Sequence, residues 1–246
     1  MKIKVYSGLS VSEAETREIL PHCDFAPPIQ RGDLLKDLRD QYHVIAIIDG
    51  KFDQYLAISP NEVLDGLRAG MKIYGASSMG AFRAAELDRF GMIGVGEVYR
   101  FIKSQAVFRD DFLAQLFFES GEVLTTTYID FHFASLHFLE ENQVQEAVVA
   151  NLQTIFRELF YADRTMETME SALAEHELSR HDPGPHVNAL RAIFARNWRQ
   201  KNIDGKALLA TIIGDLEHIG TTNRQLDRDF KLPDYLDQFY EPIFFS

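Results

Sequence analysis

Cysteine is almost missing from this chain of 246 residues. Cys23 stands alone, which excludes an internal disulfide and any cysteine-based zinc finger and suits a reducing compartment. No apolar run approaches the ~20 residues that a membrane-spanning helix needs, and no charged-then-apolar opening follows Met1. Positive charge is also short: 25 Lys and Arg against 37 Asp and Glu leave a formal net charge of −12. The excess is spread along the chain rather than gathered in a tail. Nucleic acid and anionic membrane are therefore not expected as partners, and a cytoplasmic location is expected. Internal repeats and low-complexity tracts are lacking too. What is present is an ordinary globular composition, 46% hydrophobic and 25% charged, on a chain long enough to bury a large core.

Strand and helix signals alternate through the first half. Ile3 to Tyr6 reads as a strand; Ser12 with Glu15 makes a capping box for a helix from Glu13 to about Leu20. Asp24 to Gly32 is expected to be irregular, since Pro27 and Pro28 hold it extended and Gly32 turns it. Asp33 is expected to cap a second helix that turns Leu34, Leu35 and Leu38 inward. His43 to Asp49 is apolar and β-branched throughout, as in a strand covered on both faces. Ser59, Pro60 and Glu62 suggest another capping box, before a helix that ends at Gly70. A third strand then leads into Ser77 and Ser78. This order implies a parallel three-layer α/β core, whose strand ends at Ser7 to Ser10, Asp49 to Lys51 and Gly75 to Ser78 should meet in one crevice.

The segment from Lys72 to Leu87 draws the most attention. A strand that turns sharply into a helix needs small residues around the bend, and it lifts the apical hydroxyl clear of the backbone. The GxSxG pattern is not met, but Ala76 and Gly80 flank Ser78 at the right spacing. Ser77 has the bulky Met79 at that place, so Ser78 is the preferred nucleophile and Ser77 the second candidate. The helix start at Met79 and Gly80 offers free N–H groups to an oxyanion. The structural alternative is that both serines cap the helix.

A serine nucleophile needs a base. His22 and His43 are poorly placed, so a Ser-His-Asp triad is poorly supplied. A desolvated lysine can act instead. Lys51, beside Asp49 and Gly50 at the end of the neighbouring strand, is favoured over Lys72, which lies ~15 Å back along its own strand at about 3.3 Å per residue. Lys103 is a reserve. Gly8 and Ser10 are candidate binding residues at the end of the first strand. Arg83 either attracts an anionic substrate or forms an exposed pair with Glu86, worth roughly 0.2–0.5 kcal/mol. GMIGVGE, Gly91 to Glu97, only loosely resembles a phosphate loop, because it follows a helix; a structured turn is expected. Arg109 to Asp111 reads as a solvated helix start. His176, His181 and His186 fit neither one helix face nor a zinc box, and no metal or other cofactor is expected.

From Tyr128 strand signals become rare. Val144 to Phe160, Val187 to Trp198 (beyond the turn at His181 to Pro185) and Leu208 to Ile219 each trace an apolar helix face. The division expected is an α/β core at 1–126 and a helical lobe at 127–246 that ends in an aromatic tail, Tyr235 to Phe245, packed on the body or on a partner.

GASSMGAFRAAEL followed by FGMIGVGEVY, together with APPIQRGD and IIDGKF, resembles the TfuA-like family, over roughly residues 3–112. Members accompany YcaO enzymes that install thioamides in peptide backbones. The resemblance implies a hydrolase acting through a Ser-Lys pair on a thiocarboxylated, ThiS-like ubiquitin-fold sulfur carrier. It would release sulfide for YcaO and meet the peptide substrate through that enzyme. Carried onto this chain, the serine block matches Ser77 and Ser78, and Lys51 is the geometric choice of amine. A non-catalytic adaptor recruiting a YcaO enzyme and a general serine hydrolase are the competing expectations. The first loop, SGLSVS, and the segment RDDFLA depart from the family pattern, which bears on partner contacts more than on chemistry.

Overall fold

Every residue from Val44 to Ile47 is buried, because the strand they form lies at the centre of a sheet covered on both sides. The computed structural model describes residues 1–52, 56–118, 122–141, 144–176 and 183–219. Five strands, β1 (Ile3–Tyr6), β2 (Asp24–Ala26), β3 (Val44–Ile47), β4 (Lys72–Gly75) and β5 (Ile93–Gly94), pair in parallel in the order β2-β1-β3-β4-β5. The order reverses between β1 and β3, and such a reversal opens a crevice at the carboxyl ends of the strands.

Side chains alternate between two cores. Ile45, Ile47 and Ile73 face Leu34 of α2 (Asp33–Arg39), Val63 of α3 (Pro60–Arg68), and Met79, Ala84 and Leu87 of α4 (Met79–Leu87). Val44, Ala46, Ile48 and Tyr74 face the other way, onto Leu208, Leu209 and Ile212 of α10 (Gln200–Ile219), which lies beside α1 (Glu13–Ile19). Lys72 and Tyr74 both reach Asp215 of α10, at 2.6 and 2.5 Å. Thus α10, which the sequence assigns to the helical half, forms part of the outer layer of the α/β core.

The remaining helices are α5 (Glu97–Ser104), α6 (Tyr128–Glu141), α7 (Glu146–Glu158), α8 (Met166–Glu175) and α9 (Pro183–Ala195). Leu152, Ile155, Phe156, Leu190 and Ile193 fill their core, with Phe131 stacked on Phe156 at 4.0 Å between ring centres. Ala81, Val98 and Ile102 join the same cluster and fasten the lobe to α4 and α5.

Several local expectations need correction. Three strands were legible where the described residues hold five. β2 lies inside the stretch expected to be irregular, but it is a three-residue edge strand that stops before Pro27, as an edge tolerates. β5 is two residues within the glycine turn. Asp33 does not cap α2: the cap is Gly32 at φ +89°, and the Asp33 carboxylate instead accepts the Gln30 N–H. At α3, Ser59 caps as expected, but the Glu62 carboxylate leaves the box and accepts the Gly32 N–H at 3.0 Å. Asp111 is pinned by the fully buried Arg164 at 2.7 Å rather than simply solvated. His181 and the tail from Tyr235 to Phe245 lie outside the described residues.

Candidate functional site

Close packing builds the bend at the end of β4. A Cβ on Gly80 would fall 1.7 Å from the Ile47 carbonyl oxygen, and one on Gly75 would fall 2.1 Å from the Gly80 oxygen. Glycine at both places lets α4 start directly against β3 and β4. Within the bend, Ser77 takes a left-handed conformation, φ +67°. Such a backbone costs a non-glycine residue about 1–3 kcal/mol and persists only where surrounding contacts hold it. One such contact is the Ser77 hydroxyl, fully buried, which donates to the Lys201 carbonyl of α10 at 2.6 Å.

Ser78 differs. It occupies the N-cap position of α4, yet its side chain makes no capping bond, and no described residue shares a hydrogen bond with its hydroxyl. The capping alternative therefore fails for Ser78, and Ser77 is held by a carbonyl of another helix. Ser78 is 4% exposed. The N–H groups of Ser78 and Gly80 both approach the Ile48 carbonyl, at 3.3 and 3.4 Å, whereas that of Met79 has no described acceptor.

At the β1/β3 reversal the chain supplies its own anion. The buried Asp49 carboxylate accepts the N–H groups of Gly8, Leu9 and Ser10 at 3.1, 3.0 and 2.8 Å, and the hydroxyl of Ser10 at 2.6 Å. Asp49, Gly8 and Ser10 thus come together as the sequence suggested, but they bind one another and leave none of these N–H groups for an outside anion. Gly50 packs against the Met79 side chain. Beside this loop opens a cleft of about 500 Å³, with Gly8, Leu9 and Ser10 on one wall and Arg199, Lys201 and Asn202 on another. Asn202 and Arg199 join the walls by donating to the Ser10 and Leu9 carbonyls, at 2.8 and 3.0 Å.

Lys51 does not enter this cleft. It is exposed and lines a separate hollow of about 340 Å³ with Lys4, Lys36, Pro28 and Gln30, and no contact joins it to Ser78. The turn is held there by the Lys51 N–H, which donates to the Ile29 carbonyl at 2.9 Å. Lys103 is likewise engaged elsewhere, with Asp88 at 2.8 Å. Lys201 is the only buried lysine among the described residues. Its Nζ meets two neutral acceptors, the Leu113 carbonyl at 3.4 Å and Gln115 Oε1 at 3.3 Å. Its main chain is held at both ends, by Ser77 and by Asp130, which accepts the Lys201 N–H at 3.2 Å. Sequence reasoning missed Lys201 and Asp130, since they lie 124 and 53 residues beyond Ser77 and no local spacing marks them.

Arg83 is buried rather than exposed: it donates to the Ile58 carbonyl at 2.9 Å and to Glu86 at 2.7 Å. The glycine turn holds an anion of its own as well. Asp204 accepts the Val98 N–H at 2.7 Å, and a Cβ on Gly96 would fall 2.3 Å from its carboxyl carbon. Burial raises the pKa of that carboxyl. No group of described residues has the makings of a metal site, and no described helix is long and apolar enough to cross a membrane.

Fold and site together define a doubly wound α/β protein with a bent, hydroxyl-bearing helix start at the carboxyl edge of its sheet. Residues 49–165 match the family model described as TfuA-like protein, which supports the resemblance carried by the serine block. The match contains the serine block and runs beyond the residues that carry the resemblance in sequence, to the end of the Arg164 turn; β1 and APPIQRGD fall outside it. No curated protein matches the chain. That match is consistent with a role in thioamidation-related processes, to which the TfuA-like family is linked through YcaO systems.

Proposed function

We propose that the protein hydrolyses the thiocarboxylate at the end of a ThiS-like sulfur carrier and so supplies sulfide to a YcaO-type enzyme. The observation that carries this reading is the Ser78 hydroxyl, set at the amino end of α4 beside the Met79 N–H and bound to nothing described. In the first step Ser78 Oγ bonds to the thiocarboxylate carbon as the C–S bond breaks. The hydroxyl proton passes to the Lys201 amine and on to the departing sulfur, which leaves as hydrosulfide. The Met79 N–H meets the developing oxyanion. Water then cleaves the ester, returns the proton to Ser78 and releases the carrier with an ordinary carboxylate. Hydrosulfide leaves far more readily than an amide nitrogen, so a lysine base suffices. Lys201 replaces Lys51 here because it is buried and its main chain touches the bend.

A second reading is favoured by the low exposure of Ser78: the protein is an adaptor that brings a YcaO enzyme to its peptide. Mass spectrometry of a thiocarboxylated carrier separates the two. The hydrolase reading expects wild-type protein to convert terminal sulfur to oxygen and Ser78→Ala to leave the carrier unchanged. The adaptor reading expects Ser78→Ala to support YcaO-dependent thioamidation as wild type does.

A further inference from the structure

Lys201, the base in the proposed reaction, has its main chain held at the bend and at α6, but a lysine acts through the far end of a flexible four-carbon stem. That end is held by the chain that follows Phe112. Nζ lies 3.3 Å from Gln115 Oε1 and 3.4 Å from the Leu113 carbonyl oxygen. In its neutral form an amine has two hydrogens and one lone pair, so two acceptors take both hydrogens and leave the lone pair for a proton.

Gln115 is itself held. Its Nε2 donates to the Thr125 carbonyl at 2.8 Å, and the Thr125 hydroxyl accepts the Leu116 N–H at 2.9 Å across the same turn-back, where Phe117 lies opposite Val123. An amide nitrogen can only donate and an amide oxygen can only accept, so these bonds decide which end of Gln115 faces Lys201. Glu122, Asp130 and Arg199 also line the cleft, yet no ion pair among the described residues includes Lys201. The Asp130 carboxylate takes the Thr127 hydroxyl at 2.8 Å and the Lys201 N–H, Arg199 donates to the Leu9 carbonyl, and Glu122 is exposed. A carboxylate at position 115 would pair with the ammonium and hold its proton. An apolar side chain would leave one hydrogen of a buried amine without an acceptor. An amide does neither.

We propose that Gln115 is the positioning residue of the base: a neutral acceptor that aims Lys201 Nζ and leaves its lone pair open to the Ser78 proton. The inference deepens the hydrolase reading and rests on it for the reaction. The contact between Gln115 and Lys201 stands without that reading.

The test is a double-mutant cycle in sulfide release from a thiocarboxylated ThiS-like carrier, using full-length Gln115→Met, Lys201→Met and the two combined, each verified as folded by its thermal melt. Gln115→Met alone is expected to lower kcat by about tenfold or more, with KM within about twofold of wild type, and to add no further loss once Lys201 is replaced. A role confined to holding the turn-back would lower the rate by the same factor in both backgrounds, and that result would overturn the proposal. Gln115→Glu, of the same size, reads the contact through pH and decides the matter if Gln115→Met does not fold. The acid limb of its kcat profile should move up by about 1 pH unit or more, because a carboxylate beside the amine favours the ammonium and a higher pH is needed to free the base. A profile that superimposes on that of wild type would contradict the proposal equally. Failure of the hydrolase reading is seen separately, as sulfide release that Ser78→Ala does not change.

Discussion

Ser77 and Ser78 are adjacent and chemically identical, and the fold gives them opposite fates. Ser77 takes the strained φ and a carbonyl partner; Ser78 takes the helix start, and its hydroxyl has no partner among the described residues. The choice between Lys51 and Lys201 is decided at the same scale. Lys201→Met should lower sulfide release by about 10²–10⁴-fold, the usual weight of a general base, whereas Lys51→Met should stay within about twofold. The opposite ranking in a sulfide-release assay would return the amine to Lys51. Glu62 gives a test independent of catalysis. Burial raises its pKa from 4.5 to about 7 in the folded chain. A raised carboxyl binds its proton more tightly when folded, so its stabilising share is complete below about 4.5 and is lost as pH rises through about 7. Glu62→Gln, neutral throughout, should therefore gain on wild type across that window, by roughly 3 kcal/mol at most. Thermal melts at pH 4.5 and pH 8 that show a constant difference between the two proteins would contradict this.

Among elements, the bend between β4 and α4 depends on Gly80. A methyl group there collides with the Ile47 oxygen, which is backbone and has no flexible end to yield. Gly80→Ala should destabilise the protein by about 3 kcal/mol or more, with Ser78 chemistry lost alongside. A melting temperature equal to wild type would mean that α4 does not seat on β3 as described. The major elements were legible in sequence because each carries its own signal. β3 announces itself by four consecutive buried apolar residues, and α1 by a complete Ser12–Glu15 box. β2 and β5 were not legible, since three and two residues are too few to show a period and their pairing is supplied by β1 and β4. Glu62 misled for a related reason: the box pattern is local, while its carboxylate is claimed by Gly32, thirty residues away.

On the scale of the molecule, α10 is the element that sequence order hides. Its apolar face reads as one more helix of the lobe, yet Leu208, Leu209 and Ile212 cover Ala46, Ile48 and Tyr74 of the sheet. Its first turn also supplies Lys201 to the bend and Asn202 to the cleft, with Arg199 immediately before it. The serine block was therefore readable, but the wall opposite it was not, because that wall is contributed by residues more than 120 positions later. Ending the chain before Gln200 should leave one sheet face bare, and the product is expected to bind a hydrophobic dye and to melt without cooperativity. A sharp, wild-type-like transition would show that the α/β core does not need α10.

The most direct measurement is the initial rate of sulfide release from a thiocarboxylated ThiS-like carrier by wild type and by Ser78→Ala, both verified as folded. A free hydroxyl acting as nucleophile predicts a loss of about 10³-fold or more in Ser78→Ala, with Ser77→Ala hydrolysing in proportion to the fraction that remains folded. Equal rates for Ser78→Ala and wild type would contradict it.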